Sequence, residues 1–540
     1  MSQSLEVVAT GAAAEAVAQH VPTLVAEAFA SRLFAMDATL WGEDAEEEAS
    51  TRLAWVGLPR SSRPLVGEIA AIRDDLAEQG VDRVALCGMG GSSLAPEVIC
   101  ATAGVPLTVL DSSDPDQVRA AVQDRLDRTV VVVSSKSGST VETDSQRRAF
   151  EDAFRAAGIT PQDRIVVVTD PGSPLDKEAR SAGFRVVNAD PDIGGRYSAL
   201  SAFGLVPSGL AGVDVSDLLD EAELVADLLA ADDDANPALR LGAAMAGTSP
   251  LRDKLVLVDD GSGLVGFPNW AEQLIAESTG KQGTGVLPVV VGGTRSPEVA
   301  QPPADVTLVR LVDDLADDDD VLDDTGSTVR VAGSLGAQLL LWEAATVVAG
   351  RLLGINPFDQ PDVESAKTAA RALLEKQADP TEPDFTDGPV HVQALGGDWL
   401  GGAATLRDAV GRLLGEIDGE QGYLAVMVYL DRARHAELEQ LREVLAQRVG
   451  RPVTFGWGPR FLHSTGQFHK GGTPVGVFLQ VTGTPYEDLQ VPGRDFGFST
   501  LISAQAAGDA QVLADHGRPV LRVHLEDQQP GLALLREALA

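Results

Sequence analysis

The sequence predicts an α/β protein: two doubly wound parallel-sheet domains followed by a smaller C-terminal α/β domain. Three observations carry this. Short runs of β-branched and aliphatic residues recur from residue 83 onward. Amphipathic stretches of helical length separate them. The chain has 540 residues, too many for a single core. Strands alternating with helices read as crossover units, which set parallel strands between helical layers.

In chain order, residues 1–60 read as a helical segment, alanine-rich with charges on spaced faces. Strands follow at 84–87, 106–110, 129–133, 165–168 and 185–187, with helices at 114–126 and 143–157 between them. This series makes a first domain over 61–205. A charged helical stretch at 214–234 leads to strands at 254–258, 285–291 and 306–311 and to a long apolar helix at 333–353, a second domain over 206–380. Segment 378–388 is rich in Pro, Asp, Glu and Thr and reads as a linker. The third unit, 389–540, has strands at 391–394, 423–429, 453–455, 475–481 and 520–524, with helices at 403–416, 436–449 and 500–516 and one at the end.

Composition excludes several functions. Net charge is −38, from 42 basic and 80 acidic residues. Such a surface repels nucleic acid and anionic membrane, so neither is expected as a partner. An anionic ligand must then be held locally, by backbone dipoles and a few cations. The acidity itself points to solubility or a high-salt setting. The runs 232–234 and 317–320 read as solvated loops without calcium-loop spacing. Cys87 and Cys100 sit in apolar settings as inert core residues, with no disulfide or zinc pattern. The N-terminus lacks the basic region of a signal peptide, and no apolar run has membrane-spanning length. A reducing, cytoplasmic location is expected.

The most informative stretch is Val130-Val-Val-Val-Ser-Ser-Lys-Ser-Gly-Ser-Thr-Val-Glu-Thr143. A buried strand breaks into a loop of hydroxyls, one lysine and one glycine, and a helix follows. Helix N-termini present free N–H groups and a favourable dipole to anions, so this reads as a phosphate cradle. Gly88-Met-Gly-Gly-Ser-Ser-Leu-Ala-Pro96 also joins strand to helix. It is a partial dinucleotide fingerprint, with Gly88, Gly90 and Asp111 in place but Ser93 at the third glycine position, or else a packing cluster. Asp192-Ile-Gly-Gly-Arg-Tyr-Ser198 sets an arginine after two glycines, either near a ligand or on the surface. Glu277 ends a helical run before Gly280. There it faces the negative end of the dipole, a setting that suits a general base and equally fits a surface glutamate. Gln360 and Lys367 lie two helical turns apart beyond Pro357. Gly458-Pro-Arg-Phe-Leu-His463-Ser-Thr-Gly-Gln-Phe-His469-Lys-Gly-Gly472 packs two of the seven histidines into a polar loop, at a spacing atypical of zinc ligands.

Together these pieces resemble the phosphoglucose isomerase family, over roughly 65–380. The resemblance extends to the isomerase half of transaldolase/isomerase fusions, without the transaldolase half. It implies two sugar-isomerase domains and interconversion of glucose 6-phosphate and fructose 6-phosphate with no cofactor. It also implies roles. Ser135, Lys136, Ser137 and Thr140 hold phosphate, while Gly91, Ser92, Gly195 and Gln360 lie at the sugar. Arg196 stabilises the enediolate, Glu277 moves the proton, and Lys367 lies near the ring oxygen. The family's ring-opening histidine follows its glutamate within a few tens of residues, supplied by a neighbouring subunit. Here no histidine follows Glu277 until His391, and the matching Leu-His-Ser-x-Gly-Gln signature falls at His463, with His469 as second choice. A homodimer is therefore possible and a monomer not excluded. The alternatives are a non-catalytic sugar-phosphate-binding regulator and an NAD-binding oxidoreductase.

Overall fold

A computed structural model describes residues 5–315, 326–362, 368, 371–374 and 382–540. Among the described residues the first element is a strand, β1 (Glu6–Gly11), where the sequence reading expected only helix. The alanines that suggested helix begin one residue later, at Ala12–Ala26. The β-branched pair Val7 and Val8 belongs to an edge strand that gains its partner far along the chain.

The first sheet is wholly parallel. It contains β2 (Arg83–Gly88), β3 (Thr108–Leu110), β4 (Thr129–Ser134), β5 (Ile165–Thr169) and β6 (Arg185–Asn188) in the order β3-β2-β4-β5-β6. Every residue of β4 is buried, as expected for a central parallel strand covered on both faces. The second sheet adds β7 (Lys254–Asp259), β8 (Leu287–Val290), β9 (Val306–Val312) and β10 (Ser327–Ala332) in the order β1-β10-β9-β7-β8, parallel except for β1. The sequence reading missed β10, a short Thr/Val strand directly before a long apolar helix.

The third sheet has β11 (Phe385–Asp387), β12 (Val390–Leu395), β13 (Tyr423–Tyr429), β14 (Val453–Trp457), β15 (Gly476–Gly483) and β16 (Val520–Leu525) in the order β11-β12-β16-β15-β13-β14. β11 lies inside the segment expected to be a linker, pairing antiparallel with β12; residues 375–381 of that region lie outside the described residues, as do 317–320 and Lys367. The loop at 458–472 carries a 3-10 turn, Arg460–His463, and a short helix, Gly466–Gly471.

The third sheet and its helices share cores with both other sheets. Tyr423, Phe468 and Phe478 share a core with Val256, Ala276 and Leu287 of the second unit. Phe498 and Leu501 join the core of the first. Cys87 and Cys100 are free and buried, and burial pushes both thiols up, which makes them unreactive. Among the described residues no helix is long and apolar enough to cross a membrane.

Candidate functional site

In the first sheet the chain leaves β2 for β3 on one side and returns to β4 on the other. Ligands of open α/β sheets bind at such a switch point, beyond the carboxyl ends of the strands. Two loops meet there. In the first, Gly90 has φ +57°, and a Cβ on it would come within 2.7 Å of Gln273 Nε2. A Cβ on Gly91 would overlap the Gly195 carbonyl. The two glycine turns are thus pressed together as only glycine permits. Ser92 ends the 3-10 turn Gly90–Ser92 and is half-buried.

The second loop is the hydroxyl cradle. Ser135 Oγ accepts from Gly138 N at 3.1 Å and donates to Thr140 Oγ1 at 3.4 Å. Ser137 Oγ pairs with Ser139 Oγ at 2.7 Å and is exposed. Thr140 stands at the N-cap of Val141–Ala156, with no side-chain bond capping that terminus. Its first-turn N–H groups are therefore open to an anion. Lys136 is occupied elsewhere. Its ammonium donates to the carbonyls of Pro191 at 2.8 Å and Ile193 at 2.6 Å and lies 3.2 Å from Asp170 Oδ2. Burial lowers its pKa. It ties the cradle to the strand-free segment leading into Gly195 and Arg196.

Arg196 is 4% exposed. Its guanidinium donates to Ser278 Oγ at 2.7 Å, Gln360 Oε1 at 3.2 Å and the Pro357 and Asp359 carbonyls at 2.6 and 3.1 Å, and it lies 3.8 Å from Glu277 Oε2. Glu277 is in the last turn of Phe267–Thr279 and is 5% exposed. Gln273, one turn earlier, lies 3.4 Å from its Oε2 and donates to the His463 carbonyl at 2.8 Å. His463 Nε2 meets Glu142 Oε1 at 3.1 Å, and Gln505 donates to the same oxygen at 2.6 Å. Glu277, Arg196, Gln360, His463 and the two glycine turns therefore converge within one chain. Lys367 lies outside the described residues.

His469 faces away. It is 3% exposed, stacked on Tyr423, with Nδ1 3.0 Å from the Tyr423 hydroxyl. Burial, with Lys470 and Arg518 adding to it, lowers its pKa to about 3. It is a neutral core residue, whereas His463 meets Glu142 in the first turn of the helix that follows the cradle.

Sequence reasoning passed over several residues. Glu142 sat in the cradle motif just before the expected helix and was given no role; Gln467, inside the histidine signature, donates to the Gly280 carbonyl at 2.9 Å. Lys281 is buried, donating to the Asn356 carbonyl at 2.8 Å and to Asp359 Oδ1 at 2.7 Å. Burial and the nearby Arg196 lower its pKa to about 8. The signal for it was the lysine directly after a helix-ending glycine. Asp111, which a dinucleotide ribose would require, is instead buried against Arg460 at 2.7 Å.

No family model matches the chain. It is 32% identical over 352 residues to the glucose-6-phosphate isomerase of Synechococcus sp. (strain JA-3-3Ab), a match covering 54% of this chain and 65% of that one. It thus spans a little under two thirds of that relative's length. A probable glucose-6-phosphate isomerase of Natronomonas pharaonis is 31% identical over 372 residues, covering 61% of this chain and 87% of its own. The crystal structure of a hypothetical protein from Thermus thermophilus superposes with a TM-score of 0.57 at 26% identity, over 68% of this chain and 99% of that one. A glycine-lined switch point beside a hydroxyl cradle agrees with relatives of one name, one of them matched over most of its length: the chain belongs to the glucose-6-phosphate isomerase family.

Proposed function

We propose that the protein interconverts glucose 6-phosphate and fructose 6-phosphate through a cis-enediol. Ser135, Ser137, Thr140 and the N-terminus of Val141–Ala156 hold the phosphate. His463, oriented by Glu142, works with Lys367 to move a proton to and from the ring oxygen, which opens the hexose. The Glu277 carboxylate then takes the proton from C2. The C–H pair becomes the C1–C2 double bond, the carbonyl pair moves onto O1, and Arg196 offsets the charge there. O1 gains a proton, O2 loses one as its carbonyl forms, and Glu277 returns its proton to C1. Electrons and atoms balance within the sugar, so the reaction consumes no oxidant and needs no redox cofactor.

One observation carries this reading: a buried carboxylate and a buried guanidinium 3.8 Å apart, with the carboxylate linked through Gln273 to the turn bearing His463. That turn belongs to the same chain as the cradle, which supports a site complete in a single copy. The test is a coupled assay from fructose 6-phosphate to glucose 6-phosphate across protein concentrations. Specific activity should be constant on dilution, and Glu277→Gln should lose about two to four orders of magnitude in kcat with substrate affinity kept. Full activity in that variant removes Glu277 from the mechanism.

A further inference from the structure

A cavity of about 390 Å³ lies between the helix Phe267–Thr279, the end of β8 and the turn Arg460–His463. That volume suits a small molecule. None of the residues assigned above to sugar phosphate lines it. Leu94, Val290, Phe455, Trp457 and Phe461 make its apolar wall, with Phe455 and Trp457 edge to face at 5.1 Å. Its two arginines are already neutralised: Arg460 by Glu97 and by Asp111 at 2.7 Å, Arg442 by Glu298 at 2.6 Å and Glu443 at 2.9 Å. Glu439 accepts from Trp457 Nε1 at 2.6 Å.

Glu272 is left over. Among the described residues its carboxyl, which lines the cavity, receives no hydrogen bond. Burial pushes it up to about 8, with only Arg460 acting the other way. Such a carboxyl gains from an added cation. Its neighbour in sequence, Gln273, bonds the His463 carbonyl, and Arg460, Phe461 and Ser464 of that turn line the cavity. Whatever fills the cavity therefore presses on the back of the turn that presents His463.

We propose that this cavity binds a small organic cation, an ammonium joined to an apolar or aromatic body, with Glu272 as counter-ion and Trp457 beside the body, and that occupancy acts on the neighbouring active site through the Arg460–His463 turn. The second clause rests on the isomerase reading; the first stands without it.

Phenethylammonium serves as probe on the full chain. Titration by tryptophan fluorescence should saturate, and Glu272→Gln should weaken binding by about tenfold or more, as expected for one lost charge-assisted contact. Trp457→Phe should keep the calorimetric affinity within about threefold and lose most of the fluorescence change. At saturation, kcat or KM for fructose 6-phosphate should shift by about fivefold in the wild type, a typical coupling, and not in Glu272→Gln. Absence of saturable binding, or equal affinity in Glu272→Gln, overturns the site. Saturable binding with unchanged kinetics overturns its action on the active site. A protein that binds the probe but converts no sugar phosphate fails the isomerase reading while supporting the cavity.

Discussion

His463 and His469 lie on one short segment, six residues apart, and the fold gives them opposite chemistry. His463 sits on a 3-10 turn aimed at the first sheet, where its side chain is 14% exposed and meets the Glu142 carboxylate. His469 sits on the helix Gly466–Gly471, aimed into the core shared by the second and third sheets, between the Tyr423 and Phe478 rings. A carboxylate at one nitrogen orients an imidazole; an aromatic core excludes the charged form of one. Residue type and loop composition are the same for both. What separates them is which face of the segment each occupies, and that is set by packing. Gly280 is the clearest instance: a Cβ there would come within 2.5 Å of Phe468 Cα, so a glycine lets the helix end and the short helix approach closely.

The strongest test of the contrast is replacement of each histidine in turn. His463→Gln should lower kcat/KM by about two to four orders of magnitude, the range for losing a general acid–base group. The loss should fall on ring opening. With substrate deuterated at C2, the isotope effect on turnover should therefore shrink toward unity, because proton transfer between carbons is no longer limiting. A full isotope effect in His463→Gln would show that the histidine acts elsewhere.

Glu142 gives a smaller effect. It touches the histidine and is proposed to act through it, so it is a positioning residue. Glu142→Gln should cost roughly ten- to a hundredfold in kcat, comparable to losing a group that orients a functional histidine. The distinguishing readout is the C2 deuterium isotope effect, which should shrink in Glu142→Gln as it does in His463→Gln, because both variants slow ring opening. A kcat loss with a full isotope effect would leave Glu142 only a structural part, linked to Gln505 at 2.6 Å.

The same contrast shows what was legible in the sequence. The strand–loop–helix layout around 135–140 could be read directly because its parts are contiguous in the chain. The parallel sheets were legible for the same reason: β4 is a run of valines whose burial needs no distant information. β1 was not, since Glu6–Gly11 becomes a strand only through antiparallel pairing with Ser327–Ala332. β11 was hidden likewise, in a Pro- and Asp-rich stretch whose partner strand makes it extended. In the site, Glu277 and Arg196 stood at a helix end and a glycine turn, patterns that surface residues also show, so only the resemblance gave them roles. Glu142 had no such local mark, because its contact with His463 forms only when a turn 321 residues further along the chain reaches it.

The smallest effect on activity, and the largest on pH-dependent stability, belongs to His469→Phe. Phenylalanine keeps the stack against Tyr423 but leaves that hydroxyl, buried and bonded to Nδ1 at 3.0 Å, without its partner. At neutral pH the variant should lose about 1–3 kcal/mol of stability, the cost of an orphaned buried polar group, with kcat essentially unchanged. The folded chain holds His469 neutral down to about pH 3, whereas the unfolded imidazole takes a proton near its ordinary 6.5. Between those values the unfolded state binds the extra proton, so wild-type stability falls as pH falls, by up to about 1.4 kcal/mol per unit from this group. It is fully present above 6.5 and lost on the way down to about 3. Phenylalanine cannot titrate, so the deficit of His469→Phe should narrow as the pH is lowered from about 7.5 and reverse sign near about 5. Urea midpoints at the two pH values measure this. An equal deficit at both would mean that His469 takes up its proton in the folded chain, and the division between a core histidine and a working one would have to be drawn elsewhere.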